Sequence, residues 1–344
     1  MKVSILDWSG HHAKMDDLLN LCVKRLVEEI MAEQHVPVTF VNKACKADIL
    51  IVGGGTLLFS GDKGFYRTIE AFNGPYFFLG TGYRGDELEK NSPFVPRMNR
   101  ILEKSIGVGL RGPVSYREIE RLGTDMDRVE IVGDVAFQFE PGTLNHPKSN
   151  FEVGISVRYM GRSGEPQYTS NQQVYEIMRE IAGFLHLVHP DGHFYLFDTC
   201  WNIHDSDRKG LKRIKKMCNL KKEQVTWVTQ KDLDEFCSMI GQMDFIVSQR
   251  LHPNILSWLQ DIPCIVLDYK NNKALDFMKT LDLERYCMKT NEFTLEHYKL
   301  LYHRLVDERG SLIEKSKTRK THYRAVQKDF AARMIASALR GINN

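Results

Sequence analysis

What constrains this chain most is a rhythm. Short, almost purely apolar runs alternate with longer stretches whose apolar residues recur at helical spacing, from the first residues to about residue 290. KVSILDW (2–8), VPVTFV (36–41), DILIVGGG (48–55), PYFFLG (75–80), IGVGL (106–110) and VEIVG (129–133) read as strands. Between them, Leu18, Leu19, Cys22, Leu26 and Ile30 mark a helix through about residue 33, and VPRMNRILEKS and VSYREIERLG mark others. Strands that are apolar on both faces must be covered on both faces. A parallel sheet with helices above and below does this.

The rhythm breaks at EPGTLNHPKSN (140–150), which holds two prolines, a glycine and no apolar period, and so reads as a linker. A second alternation follows in FEVGISVR (151–158), HFYLFDT (193–199), QVTWVT (225–230), DFIVS (244–248) and PCIVLDY (263–269). Residues 293–343 carry no strand signal and read as terminal helices interrupted near Gly310. The expectation is an α/β chain of two similar Rossmann-like halves, 1–140 and 151–292, joined by 141–150 and followed by helices over 293–344. At 344 residues the chain exceeds a comfortable single core, which agrees with two domains.

Composition narrows the function classes. Hydrophobic content of 42% and charged content of 26% are those of a soluble globular protein, and a net charge of +3 is too small to argue for nucleic acid. The seven cysteines are scattered and never form a C-x-x-C pair, which is reduced, cytosolic usage. MKVSILDWSG reads as a first strand, with no apolar stretch long enough for a signal peptide or a membrane span. The basic run EKSKTRKTHYRAVQK reads as a solvated helix face, with contact to acidic headgroups as the second reading.

Chemistry concentrates at strand ends. In open α/β sheets, loops and helix amino termini converge at the strands' carboxyl ends, where ligands bind. The apolar run Phe245, Ile246, Val247 ends in Ser248, Gln249, Arg250 and His252, with Pro253 placed as the first residue of a helix. A forking arginine two residues from a proton donor suits a small anionic substrate. The plain alternative is a βα loop with a solvated arginine and a capping histidine. Arg158 ends GISVR in the same half, and together with Arg250 and His252 it argues for a convergent anion site. Arg111, in LRGPVSYREIERLG, has the corresponding place in the first half.

Gly53, Gly54 and Gly55 follow a strand and would expose backbone amides to a ligand. They are not a P-loop, because the Lys-Ser/Thr pair is missing, nor a dinucleotide fingerprint, because the turn after the first strand reads SGHHAKMDD. In that turn His11, His12, Asp16 and Asp17 read as a helix start rather than a metal site. His204, Asp205 and Asp207 read as a helix cap with flanking acids, either of which would alternatively hold a sugar hydroxyl. Nothing in the pattern requires a metal or a cofactor.

DILIVGGGTLL (48–58), LRGPVSYREIERLG (110–123), VGDVAFQF (132–139), GISVR (154–158) and SQRLHPNILSWLQDIPCIVLDYKNNK (248–273), in this order, resemble the polysaccharide pyruvyl transferase family. The resemblance implies a GT-B-like architecture, with the active site in the cleft between the halves. It also implies transfer of pyruvate from phosphoenolpyruvate, a donor substrate rather than a cofactor, onto two hydroxyls of a saccharide to leave a cyclic ketal. By matching positions, Arg158, Arg250, Leu251 and His252 would form the donor site. For such a reaction His252, as an imidazolium, is the candidate general acid, with holding the departing phosphate as its alternative role. The glycine turn, Asp16 and the loop after the first strand would face the acceptor, lipid-linked or nucleotide-linked. The implied setting is cell-surface polysaccharide synthesis, on the cytoplasmic side and near the inner membrane face; a homo-oligomer is left open. Two stretches depart from the family: GHHAKMDD keeps only Asp16 of the usual Asn and Gly-Asp pattern, and LGTGYRGDE lacks the usual Gly-Pro. Two other readings stand beside this one, a GT-B glycosyltransferase with a nucleotide-sugar donor and a non-catalytic binder of a glycan or phosphorylated metabolite.

Overall fold

In the computed structural model of the chain, residues 1–9, 14–58, 64–83, 92–140, 150–158, 170–199, 207–218, 220–229, 232–269 and 272–343 are described. The first sheet grows from β1 (Lys2–Leu6). Helix α1 (Lys14–Glu33) carries the chain back to β2 (Thr39–Phe40) on one side of β1, and β3 (Ile49–Gly53) then pairs on the other. Helix α2 (Phe65–Glu70), β4 (Tyr76–Thr81), α3 (Phe94–Lys104), β5 (Val108–Leu110), α4 (Pro113–Arg121) and β6 (Val129–Ile131) continue outward, giving the parallel order β2-β1-β3-β4-β5-β6.

The second sheet repeats the scheme around β7 (Glu152–Ser156). Helix α5 (Asn171–Val188), β8 (His193–Asp198), α6 (Asp207–Met217) and β9 (Val225–Thr229) build one side. Helix α7 (Leu233–Gly241) then returns the chain to β10 (Phe245–Ser248) on the other, followed by α8 (Leu251–Leu259), β11 (Cys264–Asp268), α9 (Lys273–Thr280) and β12 (Cys287–Lys289). The order is β12-β11-β10-β7-β8-β9, again parallel. The central strands are buried on both faces, with Ile51, Phe77, Ile155, Leu196, Val247 and Ile265 all sealed from solvent. Helices α10 (Leu295–Asp307) and α11 (Arg309–Asn343) close the chain, and the break between them falls next to Gly310.

Three details differ from the sequence expectation. VPVTFV contributes only two residues to an edge strand, since Pro37 has no N–H to give a ladder. The three-residue strand β12 has no apolar run to announce it. Helix α8 begins at Leu251 rather than at Pro253, so His252 sits in its first turn; proline is tolerated two residues in because first-turn N–H groups have no intrahelical partner. The expected linker 141–150 lies outside the described residues except for Asn150, as do His11, His12, His204, Asp205 and residues 84–87 of LGTGYRGDE.

The basic run in α11 is solvated only in part, with Lys315 and Lys317 exposed and other cations engaged by the sheets. Lys320 donates to the carbonyl oxygens of Trp258 and Leu259 and pairs with Asp261 at 2.6 Å, all in the second half. One turn on, Arg324 donates to the carbonyl oxygens of Phe137 (2.5 Å) and Phe139 (2.7 Å), and Lys328 reaches Glu29 and Glu33 on α1. Tyr323 between them stacks on Phe137 with ring centroids 5.4 Å apart. Charged hydrogen bonds to backbone carbonyls of both halves make α11 a brace across both sheets. Among the described residues no helix is long and apolar enough to cross a membrane.

Candidate active site

In each sheet one strand has neighbours built in opposite directions: β1 lies between β2 and β3, and β7 between β8 and β10. Loops leaving the carboxyl ends of such a pair diverge and open a crevice. The two crevices meet in one cavity of about 260 Å³. From the first half it is lined by Trp8, Asp16, Gly55, Thr56, Arg111 and Asp134; the second half supplies Arg158, Arg250, Leu251, His252, Tyr269 and Lys273. Of the residues singled out from sequence, Asp16, Gly55, Arg111, Arg158, Arg250, Leu251 and His252 therefore share a single wall-to-wall site.

Gly53 and Gly54 do not line it. They shape the turn instead: Gly54 and Gly55 both have positive φ, 81° and 87°, a region that disfavours any side chain. Asp205 lies outside the described residues, but its neighbour Asp207 has a definite role, and it is not to hold a sugar. Asp207 is fully buried at the start of α6, where Thr199 donates to it from Oγ1 at 2.8 Å. Arg250 donates to it from Nε at 2.9 and 3.1 Å and from a terminal nitrogen. A bidentate pair of this kind fixes the guanidinium plane. Ser248 tightens the same turn, accepting from the Arg250 N–H and donating to its carbonyl oxygen.

Arg158 is positioned from the neighbouring strand end. Its backbone N–H donates to Gln249 Oε1 at 2.9 Å, and its guanidinium meets the Tyr269 hydroxyl and lies over that ring, 5.2 Å from the centroid. The polar cluster after β10 thus serves both arginines: Gln249 places Arg158, and Ser248 places Arg250. Arg111 is no surface charge either. It is fully buried at the end of β5, with its nearest carboxylate oxygens on Asp134 at 3.8 Å and Asp276 at 3.9 Å.

Two titratable groups face one another across the cavity. His252 Nε2 lies 3.9 Å from Asp16 Oδ1, with 23% and 17% of their side chains exposed. Burial, and then the charges of Arg250, Lys273 and Arg111, push the His252 imidazole down to about 3. These surroundings disfavour the imidazolium in the free protein. Asp16 moves the other way. Burial, and then Asp7 and Asp17, push its carboxyl up to about 7, with Lys273 opposing.

Sequence reasoning missed Lys273, Tyr269, Asp134 and Trp8. Tyr269 directly follows β11, so the strand-end rule that found Arg158 would have found it; Lys273 closes the last of the family-like stretches. Among the described residues no three His, Cys, Asp or Glu side chains gather as a metal site.

A family model described as polysaccharide pyruvyl transferase matches residues 5–271. No curated protein matches the chain. Among solved structures, Alr3699/HepE from Anabaena in complex with UDP is 10% identical with a TM-score of 0.57, covering 99% of this chain and 100% of that one. A glycosyltransferase from Rickettsia africae is 14% identical with a TM-score of 0.55, covering 98% of each chain. The UDP-GlcNAc 2-epimerase of Neisseria meningitidis, bound to UDP-GlcNAc, is 11% identical with a TM-score of 0.54, covering 92% of this chain and 94% of that one. At such identities the likeness is one of fold, and that fold is GT-B-like.

Proposed function

The chain belongs to the polysaccharide pyruvyl transferase family, and from that premise we propose that it moves the pyruvyl group of phosphoenolpyruvate onto two hydroxyls of a saccharide acceptor, leaving a cyclic ketal and inorganic phosphate. The observation that carries this reading is the convergence of Arg158, Arg250 and Lys273 beside His252 and Asp16 on one cavity of about 260 Å³. Phosphoenolpyruvate brings a carboxylate and a phosphate in a small volume, and it calls for several directional cations in a small site.

The chemistry follows from the two titratable groups. A proton is added to the methylene carbon of the donor while an acceptor oxygen bonds to its neighbouring carbon and loses its own proton. The carbon–oxygen bond to phosphate then breaks, and a second hydroxyl oxygen takes its place, its proton leaving with the phosphate. Asp16, near half-protonation at neutral pH, is the group able to give and receive protons there. His252, neutral in the free protein, acts as a hydrogen-bond partner to the acceptor hydroxyl or as its base. The family supports a polysaccharide substrate.

A nucleotide-sugar donor is the second reading, favoured by the UDP-GlcNAc and the UDP bound in two structures of similar fold. The two separate in one assay. Purified protein given phosphoenolpyruvate and a panel of saccharides should release inorganic phosphate, one per ketal formed. Tight binding of UDP with no binding of phosphoenolpyruvate would move the assignment to a nucleotide-sugar enzyme.

A further inference from the structure

Two of the three arginines on the cavity are held in place by neighbours, Arg250 by Asp207 and Arg158 by Tyr269. Arg111 is held differently. It is fully buried, and none of its three side-chain nitrogens makes a hydrogen bond to a described residue. Buried guanidinium nitrogens are nearly always satisfied, so this one needs an explanation.

The two nearest carboxylates balance its charge from 3.8 and 3.9 Å, beyond hydrogen-bond reach. Both are tied elsewhere. Asp134 Oδ1 accepts from the Ala136 N–H at 3.0 Å, and Asp276 accepts from the Val114 N–H at 2.8 Å and from Ser115 Oγ at 2.5 Å. Asp276 cannot close on Arg111 without giving up those bonds, while Asp134 Oδ2, the oxygen nearer Arg111, has no hydrogen-bond partner and still stands 3.8 Å away. The backbone also makes room for the guanidinium, because a Cβ on Gly82 would lie 2.7 Å from its central carbon. The chain therefore keeps a charged fork, its donors uncommitted, in the wall of the cavity.

We propose that Arg111 binds the phosphoryl group of the donor, giving its N–H donors to phosphoryl oxygens and holding the inorganic phosphate that is released. The number of open donors makes the phosphoryl group a better fit than the carboxylate. Nε and both terminal nitrogens of Arg111 lack partners, so a planar carboxylate would occupy one edge of the guanidinium, whereas a tetrahedral phosphoryl group has further oxygens for the donors that remain.

The proposal rests on the pyruvyl-transfer reading for the source of the phosphoryl group, since a nucleoside diphosphate carries the same chemistry. Inorganic phosphate, pyruvate, phosphoenolpyruvate and UDP are titrated calorimetrically into wild type and Arg111→Lys, with a thermal melt to establish folding. The expected result is at least tenfold weaker phosphate binding in Arg111→Lys, with pyruvate changed less than twofold. Phosphate binding within twofold of wild type, or none by wild type, overturns the proposal. A wild-type structure with bound phosphate gives an answer that needs no variant: its oxygens should lie on the Arg111 guanidinium, and phosphate held only by Arg158, Arg250 and Lys273 overturns the assignment. Phosphate held by Arg111, with UDP bound and phosphoenolpyruvate not, keeps the subsite and ends the pyruvyl reading. Phosphoenolpyruvate binding that is indifferent to Arg111→Lys does the reverse.

Discussion

Asp16 and His252 lie 3.9 Å apart and come from opposite halves of the chain, yet their surroundings drive them in opposite directions. Both are partly buried, and burial alone would make each neutral. What amplifies the effect is the company each keeps. His252 stands on the side that supplies Arg250 and Lys273, with Arg111 across from it, and cations suppress a further positive charge. Asp16 stands near Asp7 and Asp17, and carboxylates suppress a further negative charge. The second half thus offers fixed positive charge for an anionic donor, while the first half offers a carboxyl that titrates at working pH.

The largest effect should come from removing that carboxyl. Asp16→Asn is expected to lower kcat by about 10²–10⁴-fold while leaving the KM for phosphoenolpyruvate near wild type, read from phosphate release. In the wild type, kcat/KM should show an inflection near pH 7 that Asp16→Asn removes. An unchanged profile would break the contrast between the two groups.

Next comes the support of the donor side. Asp207→Asn takes away the charge that fixes Arg250 and leaves a cation beside a buried amide. Loss of one partner of a buried pair costs about 3 kcal/mol, so a chemical denaturation midpoint should fall clearly, and the KM for phosphoenolpyruvate should rise more than kcat falls.

Stability against pH separates the two facing groups further. Asp16 is raised from 3.8 to about 7, so the folded state binds the extra proton between these values, and the stability this brings is lost as pH rises through about 7. Asp16→Asn should therefore gain on the wild type, on the order of 2 kcal/mol, at pH 8 compared with pH 4. His252 is lowered from 6.5 to about 3, so the unfolded state takes the proton first, and stability is lost as pH falls below 6.5. His252→Gln should accordingly gain on the wild type at pH 5 compared with pH 8. The same slope in both variants would show that neither shift belongs to its residue.

The smallest effect lies in the brace. Arg324→Ala removes two hydrogen bonds from α11 to the first half and should cost about 1–2 kcal/mol in a thermal melt, with kcat within about twofold.

Much of this was legible in the sequence because it is written in local patterns. Apolar runs such as ILIVG and CIVLD, short and rich in β-branched residues, read as strands covered on both faces, and the strand-end rule places Arg158, Arg250 and His252 on one rim. What was hidden depends on distant partners. Asp207 looks like a helix cap until Arg250, 43 residues on, closes on it. The basic run of α11 looks solvated until Trp258, Phe137 and Glu29 come beneath it. The charge states of His252 and Asp16 depend on side chains from several elements, and no spacing rule records them.

The measurement that bears most directly on the account is a structure of the protein with phosphoenolpyruvate bound. The account predicts the donor in the cavity between the sheets, its two anionic ends on the arginines and Lys273 and its methylene carbon within reach of Asp16. Phosphoenolpyruvate bound elsewhere, or its place taken by a nucleotide sugar under the same conditions, would contradict it.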